Sequence, residues 1–373
     1  MRIGIVGYGK MGRDIFSLLF DKIREATFVV YDIAGNEEEN TKEVNKTLEK
    51  SLKRKKLTNA EYELKKTNFK FTSDLNDFKL CNIIIEAIYE DMAAKKELFA
   101  KLEKIANPLC LFATNTSSLD IAEIFSDIEV KKRCMGIHFF YPVKLTGFVE
   151  FNILPETASI FIRDTCPIIL GCGKTPITFS GQYHIYLNQI LACMVSHAIR
   201  LTEELDVSPA ELDKALSGIF SVAGPFEVLD SVSLGLMAGS PESFRIERNK
   251  ALLSYGFEKM NGWLAQGCPK ESGKFLDFAA ENIPATGKST DSAELSMIAM
   301  ILNETVNASI ESGMKNILAD AIQDTLGLSK SPADYYKEFG AETIFAELDR
   351  LSSAYGCGTY VHKDKAAWDK ILG

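Results

Sequence analysis

The first part of the chain alternates between short β-branched runs and longer stretches whose apolar side chains recur with a helical period. The run "RIGIV" leads into a glycine-rich turn, after which apolar residues share one helical face: Met11, Ile15, Leu18, Leu19 and Ile23. The pattern repeats through the strand "TFVVYD", the strand "CNIIIEAI", the amphipathic helix "KKELFAKLEKIA" and the strand "CLFATN". This alternation predicts a doubly wound α/β domain over residues 1–178.

The remainder of the chain lacks strand alternation and predicts helices. Within it, "EELDVSPAELDKALSGIF" (203–220) is weakly echoed by "IESGMKNILADAIQDTLGL" (310–328), with Glu204/Glu311 and Asp213/Asp320 spaced alike. The stretch "PFEVLD" is similarly echoed by "IFAELD". We therefore expect a duplicated helical domain, with one copy over residues 179–290 and a degenerate second copy over residues 291–373.

Composition narrows the possible functions. The chain is 46% hydrophobic and 25% charged, which is ordinary for a globular protein, and its net charge of -9 argues against a general nucleic-acid or anionic-membrane surface. The eight cysteines show no metal-ligand spacing, so we expect free thiols in a reducing compartment and no metal. The first nine residues already predict a strand and a turn, and no run approaches eighteen apolar residues. These features lead us to expect a cytoplasmic protein.

The glycine-rich turn has the chemistry of a dinucleotide site. In G-Y-G-K-M-G, Gly7 permits the tight turn, Gly9 lets a pyrophosphate approach the backbone, and Gly12 lets helix and strand pack closely. Asp32 ends the second strand, where it would accept hydrogen bonds from the ribose hydroxyls and repel a 2'-phosphate. The motif therefore predicts a Rossmann-type domain that binds NAD. The alternative is a nucleotide-free domain in which Asp32 is only a turn residue.

Three polar clusters follow the ends of predicted strands: Glu86 to Glu90, Asn115 to Ser118, and His138 in "GIHFFYPV". Ligands of doubly wound sheets bind at the carboxyl ends of the strands, so we expect these clusters to converge on one site. His138 taken alone is more typical of a half-buried strand residue with a satisfied ring.

The order of these motifs resembles the L-3-hydroxyacyl-CoA dehydrogenase family, which includes 3-hydroxybutyryl-CoA dehydrogenases. The resemblance rests on G-Y-G-K-M-G, Asp32, "EAIYEDMAAKKELF", "ATNTSSLDI", "GIHFFYPV", "FVEF" and "GPFEVLD". It covers the N-terminal domain almost entirely and the helical region to about residue 240. It implies an NAD-dependent oxidation of a 3-hydroxyacyl thioester.

By this resemblance His138 is the catalytic base and Glu150 its partner, Ser117 holds the substrate oxygen, and Asn188 supplies a second amide contact. The positions that match family residues lining the cofactor are Ala87, Glu90, Lys95 and Asn115. The reaction itself requires the same residue types. Oxidation of an alcohol needs a base that titrates near working pH, and a carboxylate beside the base stabilises the charged form of that base.

Each of these residues also has an ordinary structural interpretation. Ser117 could cap the "SLDIAEIF" helix, Asn188 could begin a helix, and Glu150 could be a solvent-facing strand residue. Lys95 could lie on a solvated helix face.

Two departures from the family pattern concern the substrate side of the pocket. Tyr141 stands where the family usually has Asn, and residues 181–186 replace its D-x-P-G-F step. A larger ring carrying a hydroxyl leads us to expect a preference for short or polar acyl groups, with Tyr141 contacting the substrate. Alternatively, Tyr141 points away from the site and only packs the strand end.

A basic segment between the second and third strands, residues 41–66, carries nine basic and four acidic side chains. Such a run is commonly a solvated helical hairpin. The resemblance implies that this arm, residues 36–66, contacts the coenzyme A phosphates, with Ser51 and Lys56 as candidate contacts.

Two other functions remain open. One is the same chemistry applied to a free polar 3-hydroxy acid or to a carrier-protein thioester, and the other is a catalytically silent NAD-binding protein. Because single-copy family members dimerise through the helical domain, the resemblance implies either a monomer with an internal pseudo-dimer or a homodimer.

Overall fold

The computed structural model describes residues 1–33, 35–181, 184–241, 244, 246–283, 285, 287, 289–314 and 316–373. The chain forms two compact units, Met1–Ile185 and Tyr186–Gly373. Among the described residues, no helix combines the length and apolar character needed to cross a membrane.

The described residues of the first unit build one sheet with the strand order β3-β2-β1-β4-β5-β6-β7-β8. Its strands are β1 (Arg2–Val6), β2 (Thr27–Tyr31), β3 (Phe69–Thr72), β4 (Ile83–Glu86), β5 (Leu111–Thr114), β6 (Cys134–Phe139), β7 (Phe148–Ile153) and β8 (Thr175–Ser180). Neighbouring strands are parallel except β6 and β7, which pair antiparallel. The predicted doubly wound α/β fold is confirmed.

The helices of this unit cover both faces of the sheet: α1 (Lys10–Lys22), α2 (Glu37–Lys53), α3 (Asn59–Thr67), α4 (Met92–Ile105), α5 (Ile121–Ile124) and α6 (Ser159–Gly171). The predicted basic arm is the pair α2 and α3, which pack on each other. Thr58 and Glu61 form a capping box at the start of α3, which fixes where the second arm helix begins.

Successive side chains of β6 and β7 point to opposite faces of the sheet, and the two faces have different surroundings. Met135, Ile137 and Phe139 join one hydrophobic core, together with Val149 and Phe151 from β7. The intervening residues therefore face the other side of the sheet, and they include the polar side chains of His138, Glu150 and Asn152.

The second unit is helical, as predicted. Its helices are α7 (Tyr186–Leu205), α8 (Pro209–Ala215), α9 (Pro225–Val232), α10 (Leu234–Ala238), α11 (Lys250–Ala265), α12 (Phe275–Asn282), α13 (Ala293–Ser312), α14 (Asn316–Leu326), α15 (Pro332–Phe339), α16 (Ala341–Tyr355) and α17 (Lys365–Leu372). Long buried runs in α7 and α13 form its centre, where these two helices pack on each other.

Two features of this unit support the predicted duplication. Helices α13 and α14 begin 107 residues after α7 and α8 (186 to 293 and 209 to 316). A short antiparallel bridge joins Phe220 to Leu328, and Ser221 N donates to Gly327 O over 2.7 Å. With the same offset of 107 residues, Phe220 corresponds to Gly327 and Ser221 corresponds to Leu328. Phe220 therefore pairs with the counterpart of Ser221, and Ser221 pairs with the counterpart of Phe220. This reciprocal pairing is the form expected at a local two-fold axis. The duplication and its domain limits remain predictions.

Candidate functional site

The glycine-rich turn lies between β1 and α1. Gly7 has a φ of 98°, and a Cβ there would come within 2.5 Å of the Ala87 carbonyl oxygen. A Cβ on Gly12 would lie 1.9 Å from the Gly7 carbonyl oxygen. The protein's own packing therefore requires glycine at both positions. This agrees with the tight turn predicted at Gly7 and the close packing of helix and strand predicted at Gly12.

Gly9 is different, because a Cβ there would meet nothing within 4 Å. Gly9 is the N-cap of the 13-residue helix α1, and no side chain caps it. The turn thus leaves open space in front of the helix N-terminus, where backbone N–H groups and the helix dipole favour an anion. This arrangement fits the pyrophosphate of a dinucleotide.

Asp32 follows β2 at the next strand end and is partly buried. Its backbone N donates to Thr72 O over 3.4 Å, and Asn40 Nδ2 donates to its Oδ2 over 3.5 Å. These contacts hold the carboxylate at the carboxyl edge of the sheet, as predicted for a ribose-binding acid.

Glu90 organises the loop after β5. Its Oε1 accepts hydrogen bonds from the Thr116 hydroxyl at 2.6 Å and from the backbone and hydroxyl groups of Ser117 and Ser118 at 2.8–3.2 Å. Burial raises the pKa of Glu90, but the Lys95 charge and these hydrogen bonds outweigh it and lower the pKa to about 2. Glu90 is therefore a fixed anion at this edge.

Lys95 lies beneath this loop and is 1% exposed. Its Nζ is 2.5 Å from Glu86 Oε1 and 3.4 Å from Glu90 Oε2. Glu86 in turn accepts a hydrogen bond from the Thr114 hydroxyl at 2.6 Å, which ties β4 to β5. The predicted alternative of a solvated Lys95 is wrong, and Lys95 reaches the candidate cofactor surface through Glu90.

His138 is 6% exposed, and Phe140 packs edge-on against its ring. Its Nδ1 is buried and has no hydrogen-bond partner among the described residues. Burial lowers the pKa of His138 to about 4, and the Glu90 charge opposes that shift. Within the described part of the chain, the ring is therefore not a fully hydrogen-bonded core histidine. It is a neutral imidazole with unused hydrogen-bonding capacity.

Glu150 stands directly opposite His138 in the β6–β7 register, so the two side chains are on the same face of the sheet. It is fully buried, which excludes the predicted alternative of a solvent-facing residue. Its Oε1 accepts from Asn152 Nδ2 at 2.9 Å. A Cβ at Gly136, opposite Asn152, would come within 3.1 Å of Asn152 Cβ, so the glycine makes room for this amide.

Asn115 and Ser117 belong to the same edge. Asn115 Oδ1 accepts from Phe139 N at 2.9 Å, which couples the loop after β5 to the end of β6. Ser117 is partly buried, and its hydroxyl donates to Glu90 Oε1. The cap of α5 is Asp120, which accepts from Glu123 N, so the predicted alternative of Ser117 as this helix cap is wrong.

Tyr141 is 54% exposed in the connection after β6. Its ring lies 3.8 Å from Nζ of Lys10, the first residue of α1. The aromatic ring and the ammonium form a cation–π pair beside the glycine-rich turn. Tyr141 is thus held near the candidate phosphate site.

The remaining predicted residues lie elsewhere. Ser51 is partly buried in α2, and Lys56 is exposed in the turn between α2 and α3. Asn188 is partly buried in the first turn of α7, in the second unit. Of the segment that departs from the family pattern, Gln182 and Tyr183 lie outside the described residues.

Sequence reasoning missed His184, which is 6% exposed and lies within the departing segment. Its Nδ1 is 3.1 Å from Ser118 O, and its own carbonyl accepts from Asn152 Nδ2 at 3.1 Å. The only sequence signal was a histidine in a chain that has just four.

Comparison with known proteins bears on the domain and its cofactor. Residues 2–182 match the family model for the NAD binding domain of 3-hydroxyacyl-CoA dehydrogenase, which supports NAD as the cofactor. The fatty acid oxidation complex subunit alpha of Vibrio vulnificus is 25% identical over 378 residues, covering 95% of this chain and 53% of the relative. The chain therefore spans about half the length of the curated relatives it matches over nearly its whole extent.

Two solved structures share the fold. The 3-hydroxybutyryl-CoA dehydrogenase of Escherichia coli K12 aligns with a TM-score of 0.77 at 18% identity, covering 100% of this chain and 98% of that one. The (S)-3-hydroxybutyryl-CoA dehydrogenase PaaH1 of Ralstonia eutropha aligns with a TM-score of 0.62 at 25% identity, covering 72% of this chain and 94% of that one. Residues 2–182 therefore form a domain of the 3-hydroxyacyl-CoA dehydrogenase family.

Proposed function

We propose that the protein oxidises an L-3-hydroxyacyl thioester, a 3-hydroxyacyl-CoA, to the 3-ketoacyl thioester with NAD as the acceptor. The observation that carries this proposal is the buried His138 ring, whose Nδ1 has no partner among the described residues and which stands opposite the buried Glu150. A buried polar atom without a partner is costly, so its retention favours a catalytic part over a structural one.

The residues at the sheet edge fit the cofactor. The open turn at Gly9 would hold the pyrophosphate, and Asp32 would hold the adenosine ribose. Ala87, Glu90 and Asn115 would line the nicotinamide half, and Lys95 would position Glu90 from below. A bound NAD would supply the acceptor for the hydride that leaves the carbinol carbon.

His138 acts as the general base. Because burial keeps the imidazole neutral at ordinary pH, a ring nitrogen can accept the hydroxyl proton of the substrate. The imidazolium formed in this buried place is costly unless a negative charge compensates it. Glu150 is the proposed source of that compensation, and Asn152 holds its carboxylate. In the reverse direction, the imidazolium returns the proton.

Ser117 and Asn188 are the proposed contacts of the reacting oxygen. The Ser117 hydroxyl donates to Glu90, which fixes its oxygen at the edge of the site. A hydroxyl held in this way is oriented before the substrate binds, so less free energy is needed to order it during the reaction.

The arm formed by α2 and α3 is the proposed contact for the coenzyme A phosphates, through Ser51 and Lys56. The exposure of Lys56 supports this assignment, because an exposed positive charge attracts a polyanionic carrier and can be reached by it. Tyr141 is the proposed determinant of a short or polar acyl group.

A spectrophotometric assay of NADH consumption tests the proposal. The substrates are acetoacetyl-CoA, longer 3-ketoacyl-CoAs and the corresponding carrier-protein thioesters, and free 3-hydroxy acids are assayed with NAD. Turnover with the CoA thioesters supports the proposal. Turnover only with free acids or carrier thioesters selects the alternative substrate class, and NADH binding without turnover of any of them selects the catalytically silent protein.

The proposed assembly is a monomer with an internal pseudo-dimer. The bridge between Phe220 and Leu328 supports it, because it joins the two proposed copies within one chain. Sedimentation equilibrium distinguishes this monomer from a homodimer.

A further inference from the structure

His184 connects two parts of the candidate site that are far apart in sequence. Its ring contacts the loop after β5, since Nδ1 is 3.1 Å from the carbonyl oxygen of Ser118. A carbonyl can only accept, so Nδ1 carries the proton and donates it. The opposite nitrogen, Nε2, is 3.9 Å from Asp120 Oδ2. The ring therefore lies against the loop that presents Ser117.

The backbone of His184 contacts the other part of the site. Its carbonyl oxygen accepts a hydrogen bond from Asn152 Nδ2 over 3.1 Å. The same Asn152 nitrogen donates to Glu150 Oε1 over 2.9 Å. Glu150 and Asn152 are both fully buried, so these hydrogen bonds do not compete with bulk water.

We propose that His184 is a positioning residue for the reaction: its ring fixes the Ser117 loop, and its carbonyl, through Asn152, fixes the carboxylate of Glu150 opposite His138. Both contacts are made by one residue, so a displacement of His184 moves both the loop that carries Ser117 and the carboxylate of Glu150. This inference rests on the proposed function, because it assigns a part in that reaction.

The position of His184 in the sequence supports the assignment. The segment at residues 181–186 is where the chain departs from the D-x-P-G-F step of the resembling family. A proline has no backbone donor, and a glycine has no side chain. A histidine in this segment adds a ring donor that such a step does not provide. The chain thus has its own means of joining β7 to the loop after β5.

Two substitutions separate the ring contact from simple packing. His184→Leu removes the donor to Ser118 O, whereas His184→Asn keeps an N–H donor near the position of Nδ1. We expect His184→Leu to lower kcat by about tenfold to a hundredfold, with the NADH dissociation constant within about threefold of the parent. We expect His184→Asn to recover most of the lost kcat. Asn152→Leu, which removes the amide that holds Glu150, should lower kcat in the same way.

The matched control is His197→Leu in α7. His197 is also a buried histidine, so its replacement should lower the melting temperature while leaving kcat per folded molecule unchanged. An equal loss of kcat in His197→Leu would mean that His184→Leu acts only through general destabilisation.

A second readout does not depend on turnover. The pKa of the His138 ring, followed by NMR, should move in Asn152→Leu, which removes the amide that holds Glu150. It should also move in His184→Leu, because loss of the ring contact with Ser118 lets the His184 carbonyl that holds Asn152 shift. A His138 pKa unchanged in both variants overturns the inference, as does an equal kcat for His184→Leu and the parent. If the parent has no dehydrogenase activity, the proposed function fails, whereas the NMR result still tests the positioning.

Discussion

Two buried histidines, one in each unit, have opposite hydrogen-bonding environments. His197 in the second unit has Nδ1 2.9 Å from the Tyr360 hydroxyl and Nε2 3.3 Å from the Ser296 hydroxyl. His138 in the first unit has a buried Nδ1 without a partner in the described part of the chain. Burial is the main cause that lowers the pKa of both, to about 3 for His197 and about 4 for His138.

The comparison shows that neither burial nor a shifted pKa identifies a catalytic histidine by itself. What differs is hydrogen-bond satisfaction. His197 connects α7 to α13 and to the segment at Tyr360, and thereby stabilises a helical core. His138 keeps its capacity for a ligand. We therefore expect the two rings to respond differently to the same experiments.

The largest expected effect concerns turnover. His138→Ala and Glu150→Gln should each lower kcat by about a hundredfold or more, the usual scale for the loss of a general base, with NADH affinity near that of the parent. Stopped-flow kinetics and a fluorescence titration of NADH provide the two measurements. His197→Leu is the control, and near-parent turnover in His138→Ala would remove the distinction between the two rings.

The second prediction concerns acid stability. Each ring has a lower pKa when folded than its ordinary value of 6.5, so the unfolded chain binds more protons between the two values. The free energy of unfolding is therefore not reduced by these rings above pH 6.5. It falls as the pH drops below 6.5, and the part due to His138 stops falling near pH 4. The size of this decrease is about 3 kcal/mol for His138, by 1.36 kcal/mol per pKa unit.

Urea unfolding between pH 4 and pH 7 measures this effect. His138→Gln and His197→Gln should each reduce the slope of unfolding free energy against pH. In the enzyme assay, a His138 base with this lowered pKa should place the acid limb of kcat/KM below pH 6. An acid limb at pH 6.5 or above would show that the free enzyme holds His138 in a more polar environment than the structure describes.

The third prediction concerns cofactor choice at the same edge of the first unit. Asp32 should make NADH bind more tightly than NADPH, because its carboxylate repels a 2'-phosphate. Asp32→Ser should reduce the ratio of the NADPH to the NADH dissociation constant by about tenfold, equivalent to about 1.4 kcal/mol of binding free energy. Fluorescence titrations with both nucleotides test this, and tighter binding of NADPH by the parent would reject the assignment.

The smallest expected effect concerns Tyr141. Tyr141→Asn should shift specificity toward longer acyl chains in a graded way, since each methylene in a hydrophobic pocket is worth about 1–3 kcal/mol. Values of kcat/KM from four to sixteen carbons measure the shift. Because the Tyr141 ring also contacts Lys10 beside the glycine turn, the NADH dissociation constant is measured in parallel. A change in NADH affinity with an unchanged chain-length profile would assign the ring to the cofactor.

Local patterns in the sequence predicted the fold well, because each rests on a short-range rule. β-Branched runs identified β1, β2, β4 and β5, and helical periodicity identified α1 and α4, whereas β3, β8 and α6 were not identified. The parts of Gly7 and Gly12 follow from steric limits that operate within one turn. The pairing of His138 opposite Glu150 also follows from a local rule, since a short connection between two antiparallel strands brings their ends together.

Contacts between distant segments were not predictable in the same way. Lys95 on an amphipathic helix has the pattern of a solvated residue, and only the packing of β4 beside it reveals its pairing with Glu86. His184 meets Ser118 and Asn152 across separations of 66 and 32 residues, and no periodicity encodes such a meeting. The place of Tyr141 against Lys10 depends on side-chain rotamers, which the order of motifs does not determine.

The backbone bridge between Phe220 and Leu328 has a consequence for how the helical unit can change during evolution. In a symmetric dimer of identical chains, every substitution occurs twice and alters both sides of the interface together. In the proposed duplication the two sides are encoded separately, so each can acquire its own partners. Glu311 already pairs with Arg248 and Tyr186, whereas Glu204 pairs with Arg350 and Tyr355. Dilution cannot separate the two halves, because a single polypeptide holds both at a fixed effective concentration.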